Sequence, residues 1–473
     1  MKSESYQAVM SQRAEIMRAS VGIDYEQYVT GVLAFDYERM MADTGYDMET
    51  VRTVQQMTSV GNTPLIELKN MTALAHSLSG PGKGARIFVK DEAANPSGSF
   101  KDRRASLSVY EAKKRGYSGV VAATSGNYGA AVASQAAKLG LRCIIVQEAF
   151  DSRGIEQPEI AEKTRACEAY GAEVIRLSVG PELFYEFLCV LKETGYFNAS
   201  LYTPYSVRGI ETLGDELASQ TLNKIGVFPD AVIVTHAGGG NLTGTARGLL
   251  YSGAADTKII AASVDLSGLH MASDRDFNRK SFTTGHTGFS MPFTIWPDRA
   301  DVPRNAARAL RYMDRFVTVS QGEVFYITQA LAELEGLERG PAGNTSLAAA
   351  FAIAREMDEH QIIVAQETEY TGAGKHPLAQ LNLAKQMGIE IKRGDPKDNK
   401  PGQCIVIPQH PSQMSVVDVE LDPVRRSYIH HAIKSMPEGE VLKDIDFAFL
   451  ADEIRISPNI VREVIDELTG KIG

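Results

Sequence analysis

Lys101 is the side chain in the most informative setting, the run Asn95-Pro96-Ser97-Gly98-Ser99-Phe100-Lys101-Asp102-Arg103. Proline, serines and glycine hold this stretch off regular structure, Phe100 has a ring to bury, and the helix expected over 103–115 leaves Lys101 near its N-terminal end. There the helix dipole and a neighbouring cation both favour the neutral amine, the form that condenses with an aldehyde. A second run, Thr124-Ser125-Gly126-Asn127-Tyr128-Gly129, stands between apolar residues 119–123 and an Ala-rich helix. Backbone N–H groups of such a strand-to-helix turn form a concavity suited to an amino-acid carboxylate. The third, His236-Ala237-Gly238-Gly239-Gly240-Asn241-Leu242-Thr243-Gly244, follows apolar residues 231–235. Adjacent glycines allow close backbone approach, and the next helix offers its positive end to a phosphate. No Gly-Lys-Ser/Thr follows and the GxGxxG spacing is absent, so neither a Walker loop nor a dinucleotide fingerprint is present.

The Lys101 run resembles the motif of fold type II pyridoxal-phosphate enzymes, the tryptophan synthase β-subunit type, in which Asn-Pro-x-Gly-Ser-x-Lys-Asp-Arg carries the cofactor-binding lysine. The resemblance implies pyridoxal 5'-phosphate as cofactor and Lys101 as both its anchor and the catalytic residue. It implies that Thr124, Ser125, Gly126 and Asn127 cradle the substrate carboxylate, with Asn127 also meeting the ring hydroxyl. Ala237, Gly238, Gly239, Gly240 and Asn241 become the phosphate cup, in a GGGN form nearer to threonine synthases than to the four-glycine loop of cysteine synthases. Thr371-Gly372-Ala373-Gly374-Lys375-His376-Pro377 is similar to the Thr-Gly-x-Gly-x-x-x-Pro stretch of threonine synthases, with one residue fewer before the proline. This assigns Thr371 to the pyridine nitrogen, ahead of Ser346. A neutral hydroxyl there makes the ring a softer electron sink than a carboxylate would. Val60-Gly61-Asn62-Thr63-Pro64-Leu65 resembles the family's GxTPL motif, with a structural role.

These runs need a scaffold, and the chain's pattern describes one. Apolar runs at 87–89, 119–123, 143–146, 173–177, 231–235, 259–264 and 362–365 are each followed by a helical stretch. Strands fed by helices mean crossover connections and largely parallel sheets covered on both faces, an α/β architecture with the two lobes of fold type II enzymes. The chain has 473 residues, beyond the roughly 250–300 at which single cores stop growing. Residues 1–57 read as a helical extension, 58–99 with 205–424 as a large cofactor-binding lobe, 100–204 as a small α/β lobe, and 425–473 as a helical appendage. Tyr, Pro and Ser at 201–208 read as the break between lobes, and the Lys-, Pro- and Gly-rich stretch 392–403 as an exposed loop. The tail shows two amphipathic helices about Ser457 and Pro458, in a spacing that DNA readers also use. Its acidic balance favours packing or subunit docking instead.

Charge narrows the function classes further. Forty-nine Lys plus Arg against 59 Asp plus Glu give a net charge of -10, which repels nucleic acid and anionic membranes. No apolar run approaches the length of a membrane span and the first residues lack a signal-peptide pattern, so a cytoplasmic enzyme is expected. Four cysteines without a CxxC pair argue against structural zinc, so no metal is expected, and against a disulfide framework. The shared apparatus permits elimination, replacement or carbon–carbon cleavage, and the fold does not choose among them. The whole arrangement, with Asp24-Tyr25-Glu26 and Asp36-Tyr37-Glu38 in the extension and a helical tail, is similar to the β-subunit family of 2-amino-4-oxopentanoate thiolases. That resemblance implies thiolytic cleavage of the amino acid with coenzyme A, giving acetyl-CoA and alanine in ornithine degradation. It also implies a small α subunit as partner and homo-oligomerisation of this chain. Threonine synthase or diaminopropionate ammonia-lyase chemistry is the alternative, and a cofactor-holding regulatory module the non-catalytic one. Whether a cysteine carries an acetyl group is open, with core positions favoured for all four.

Overall fold

The computed structural model describes residues 5–124, 126–150, 154–156, 158–178, 182–265, 301–370, 377–400 and 402–469. In chain order its strands are β1 Leu65–Glu67, β2 Arg86–Asp91, β3 Gly119–Thr124, β4 Arg142–Phe150, β5 Glu173–Ser178, β6 Phe197–Asn198, β7 Ala231–Thr235, β8 Lys258–Val264, β9 Arg315–Val319, β10 Ile362–Glu367, β11 Glu390–Gly394, β12 Cys404–Pro408 and β13 Val417–Asp418. All seven apolar runs are strands. Every residue of β3 and of β10 is buried, as sheets covered on both faces demand. One sheet runs β1-β2-β10-β7-β8-β9-β13 and a second β5-β4-β3-β6. The second is parallel throughout, and the first is antiparallel only at its edges, where β1 meets β2 and β13 meets β9.

The helices of the N-terminal part are α1 Tyr6–Ser11, α2 Arg13–Val21, α3 Tyr37–Ala42, α4 Met48–Gln56 and α5 Lys69–Ser77. Those between the strands are α6 Lys101–Lys114, α7 Asn127–Leu139, α8 Pro158–Ala169, α9 Glu182–Thr194, α10 Pro204–Ile225, α11 Gly240–Tyr251, α12 Ala309–Tyr312, α13 Gln321–Glu335, α14 Pro341–Ala354 and α15 Pro377–Gln386. The tail holds α16 Leu421–Lys434, α17 Asp444–Ile454 and α18 Pro458–Thr469. Side chains alternate across the large sheet: Ile87 and Val89 join Leu347 and Phe351 of α14 on one face, while Phe88 joins Val232 and Leu242 on the other. Among the described residues no helix is long and apolar enough to cross a membrane.

Helices α10 and α11 pack backbone to backbone. A Cβ on Gly214 would lie 2.0 Å from the Thr245 carbonyl oxygen, and one on Gly248 would lie 2.0 Å from that of Glu211. Glycine is required there for closeness, with no unusual φ involved. The extension and the tail dock on each other: Asp446, buried, accepts from the backbone N–H of Leu33 at 2.7 Å and of Ala34 at 2.9 Å. Arg308, just before α12, pairs with Glu453 of the tail and with Glu38 of the extension. Leu33 and Leu310 share one buried cluster with Ile429, Leu450, Ile454 and Val461.

Three local expectations change. Residues 204–208 are the first turns of α10, because Thr203 caps the helix by accepting from Ser206 N–H and Pro204 fits the position where no amide hydrogen is needed. The stretch 392–403 is not one loop: β11 and β12 pair in parallel around it, held by Ile389 and Ile405 buried with Phe325 and Ala384. Finally, α6 starts at Lys101 rather than Arg103.

Candidate active site

The lysine turn is fastened on three sides. Phe100 N–H donates to the Thr368 carbonyl at 3.0 Å and Tyr370 N–H to the Gly98 carbonyl at 2.7 Å, so Ser99 and Glu369 form an antiparallel bridge. Gly98 has φ +80°, and a Cβ there would stand 2.5 Å from the Tyr370 carbonyl oxygen, so only glycine fits this crossing. Asp102 turns back to accept from Ser97 N–H at 2.6 Å and from the Gln135 amide at 3.3 Å. Burial pushes its carboxyl up to about 6.

Asn95 and Arg103 form the third fastening. The Asn95 amide donates to the Glu92 carboxylate at 2.9 Å, and its oxygen accepts from Gly61 N–H at 3.0 Å. Arg103 grips Glu92 through Nε at 2.7 Å and Nη2 at 2.8 Å, both residues being fully buried. Thr63 of the Val60–Leu65 run donates to the same carboxylate at 2.6 Å. Removing one partner of such a buried pair costs about 3–5 kcal/mol. Glu216 closes the network: burial raises its carboxyl, but Arg103 and Lys90 outweigh burial and bring it to about 2.

Arg103 therefore faces away from Lys101, and the cations acting on the amine are others. Burial first, then Arg104 and Lys163, hold the Lys101 amine well below its ordinary range, while Glu369 opposes them. Its Nζ lies 4.4 Å from the centre of the Phe100 ring. Glu369 is buried and accepts a short hydrogen bond from the Asn127 amide. The loop holding Asn127 and the lysine turn thus meet through one carboxylate. Thr124 Oγ1 accepts from Gly126 N–H at 2.9 Å, shaping the turn that starts α7. A Cβ on Gly126 would lie 2.9 Å from Lys163 Nζ, which puts a buried lysine, paired with Glu159, beneath this turn. Ser125 and Thr371 lie outside the described residues.

The glycine loop joins β7 to α11. Gly239 has φ +80°, and a Cβ there would come 2.7 Å from Ala309 Cβ. A Cβ on Gly238 would lie 1.5 Å from Tyr202 Oη, and one on Gly240 would lie 1.6 Å from Arg104 Nη2. Ala237 is half-buried beside them. The Asn241 amide donates to Gln366 at 2.8 Å, tying the start of α11 to β10. His236 is buried edge-on to Phe316, and burial lowers its imidazole to about 4, so it is neutral near pH 7. Ser346 is fully buried, its hydroxyl held by the carbonyls of Gln366 at 2.7 Å and Gly343 at 2.8 Å.

Residues 57–368 match the family described as pyridoxal-phosphate dependent enzyme. The chain belongs to that family.

Among pyridoxal-phosphate dependent enzymes it is 62% identical, over 467 residues and 99% of both chains, to a 2-amino-4-ketopentanoate thiolase beta subunit from an unknown prokaryotic organism. It is 61% identical to the subunit of the same name from Acetoanaerobium sticklandii, over 99% of this chain and 100% of that one. A threonine synthase from a Bacillus species is 32% identical over 190 residues, covering 40% of this chain and 48% of that protein. The crystal structure of an O-ureido-L-serine-bound mutant of O-ureido-L-serine synthase superposes with a TM-score of 0.51 at 20% identity, covering 69% of this chain and 92% of that one, a likeness of fold. The residues present fit the cofactor's chemistry: a lysine amine held well below its ordinary range, a glycine loop where any Cβ would collide with Tyr202, Ala309 or Arg104, and an amide at Asn127.

Lys163, Glu369, Arg104 and Tyr202 join the site without being singled out by the sequence motifs. Arg104 has a signal, since it lies one helical turn beyond Lys101. The others have none, because only folding brings them to the site. Cys143 and Cys167 are buried within and beneath the four-stranded sheet; burial pushes the Cys167 thiol up to about 12 and the Cys143 thiol further.

Proposed function

We propose that this chain is the β subunit of a cytoplasmic enzyme of ornithine degradation that cleaves 2-amino-4-oxopentanoate with coenzyme A. In the balanced reaction the thiol sulfur bonds to the γ-carbonyl carbon, the bond between β and γ carbons breaks, and the β carbon takes the thiol proton. Acetyl-CoA and alanine leave. Identity spread over 99% of both chains carries this reading; the threonine synthase likeness covers less than half of each, and fold alone does not select a reaction.

In this reading residues 58–99 with 205–424 form the cofactor-binding lobe and 100–204 the small lobe. Lys101 holds the cofactor and Ala237–Asn241 receive its phosphate. Asn127 meets the ring hydroxyl, Thr371 the ring nitrogen, and Thr124–Asn127 the substrate carboxylate, with Lys163 adding positive charge beneath. Pyridoxal phosphate, when bound, supplies the electron sink that acidifies the substrate's α-hydrogen. Lys101 Nζ, whose neutral form is favoured by burial and its two cationic neighbours, takes that α-proton. Glu369 orients Asn127 by accepting from its amide. A small α subunit and further copies of this chain complete the assembly.

The test is a substrate panel assayed with and without the companion subunit: 2-amino-4-oxopentanoate with CoA, phosphohomoserine, and diaminopropionate. Acetyl-CoA formed from the first alone supports the proposal. Turnover of either of the others, with none of the first, refutes it.

A further inference from the structure

The glycine loop is not lined by backbone alone. Arg104 is 2% exposed, and its guanidinium lies over Gly240, where a Cβ would stand 1.6 Å from Nη2 and 2.8 Å from Cζ. Tyr202 is 6% exposed and its hydroxyl occupies the matching position over Gly238. The guanidinium carbon is 5.4 Å from the centre of the Tyr202 ring, so the two side chains lie on each other and cover two of the three glycines. Arg104 is also three residues beyond Lys101 on α6, and i and i+3 side chains share one face of a helix. A single helical face thus presents an amine and, one turn later, a guanidinium directed at the start of α11.

We propose that Arg104 is the counter-ion of the cofactor phosphate and that Tyr202 Oη is a second donor to it. The inference rests on reading the glycine loop as the phosphate cup. Backbone amides and a helix N-terminus supply only partial charges to a phosphate dianion. A guanidinium supplies a full charge and a fork of N–H donors matched to phosphate oxygens. Its nearness to the amine is independently visible in the electrostatics, since Arg104 is the foremost charge disfavouring the ammonium form of Lys101. One cation then serves both ends of the cofactor, binding the phosphate and keeping the amine nucleophilic.

The experiment compares pyridoxal phosphate with pyridoxal, which has the same aldehyde and ring and no phosphate. Apo protein of the wild type, Arg104→Met, Arg104→Lys and Tyr202→Phe is titrated with each, following the visible band of the lysine-bound compound and the quenching of tyrosine fluorescence. A charge-assisted hydrogen bond contributes about 1.5–3 kcal/mol, so Arg104→Met should raise the Kd for pyridoxal phosphate roughly ten- to a hundredfold. Its Kd for pyridoxal should rise by much less, only through the greater basicity of Lys101 once Arg104 is gone. Arg104→Lys should recover part of the loss, and Tyr202→Phe, which keeps the ring, should lose severalfold for the phosphate compound only. Equal weakening toward both compounds, or none toward either, overturns the assignment of Arg104 while leaving Lys101 and the cup in place. A wild type that binds both equally overturns the cup reading itself. Should Arg104→Met fail to fold, Arg104→Lys and Tyr202→Phe carry the comparison, and wild-type discrimination in both variants refutes the proposal.

Discussion

Substituting Gly248→Ala tests whether a helix contact remote from the lysine sets the geometry of the glycine cup. Gly248 is on α11, whose first residue is Gly240. The added Cβ would stand 2.0 Å from the Glu211 carbonyl oxygen, 2.8 Å from Asp215 N and 2.9 Å from Gly214 Cα, all backbone atoms of α10. No side chain can rotate aside, so reaching an ordinary contact of about 3.4 Å requires the helices to part by more than 1 Å. Alanine gains roughly 0.5–1 kcal/mol in helix propensity. Overpacking costs about 1–3 kcal/mol and more when backbones must move, so the clash wins. The variant should be less stable by about 1–2 kcal/mol, and because α11 moves with its first turn, pyridoxal phosphate should bind severalfold more weakly. Thermal denaturation of the apo protein and cofactor titration measure the two effects. Gly80→Ala, whose Cβ would meet nothing within 4 Å, is the control. A Gly248→Ala protein as stable as wild type, with unchanged cofactor affinity, refutes the helix contact and its link to the cup.

Lys101→Ala should abolish the visible absorption of the lysine-bound cofactor; retained colour removes the assignment. Glu369→Gln removes the charge that favours the ammonium form of Lys101. The acid limb of cofactor recombination with apo protein should therefore shift to lower pH, and an unmoved limb separates Glu369 from the amine. His236 is neutral in both folded and unfolded states above pH 6.5, but between 6.5 and about 4 only the unfolded chain binds its proton. Stability is therefore whole above pH 6.5 and falls by roughly 3 kcal/mol as pH drops to 4. His236→Asn should flatten that slope in urea denaturation, and an unchanged slope would contradict a buried neutral imidazole.

Strands buried on both faces left continuous apolar runs, so β2, β3, β7 and β10 and the loops at their C-terminal ends were legible. The motif around Lys101 was legible for the same reason: its turn residues have local work to do. What the motif residues touch was not. Arg103 reads as a cation beside the amine, yet Glu92 and Glu216 turn it into a clamp for the turn. Tyr202 and Arg104 are far apart in sequence and meet only because α6 and α10 pack together. Glu369 comes just after a strand, with nothing local to mark it. The residue types at 204–208 and 392–394 misled about local structure only, because Pro204 opens a helix and 392–394 belong to β11.

The bridge between Ser99 and Glu369 makes the lysine a fixed point. The chain leaves the seven-stranded sheet after β2 and enters the four-stranded sheet at β3, and Lys101 lies on that passage. Through Phe100 N–H and the Gly98 carbonyl, the passage is stapled to residues 368–370 just beyond β10. It follows that the backbone carrying the amine is set from the seven-stranded sheet before the chain enters the smaller one. The Asn127–Glu369 hydrogen bond brings the start of α7 to the same segment, so one short stretch after β10 fixes both the lysine turn and Asn127.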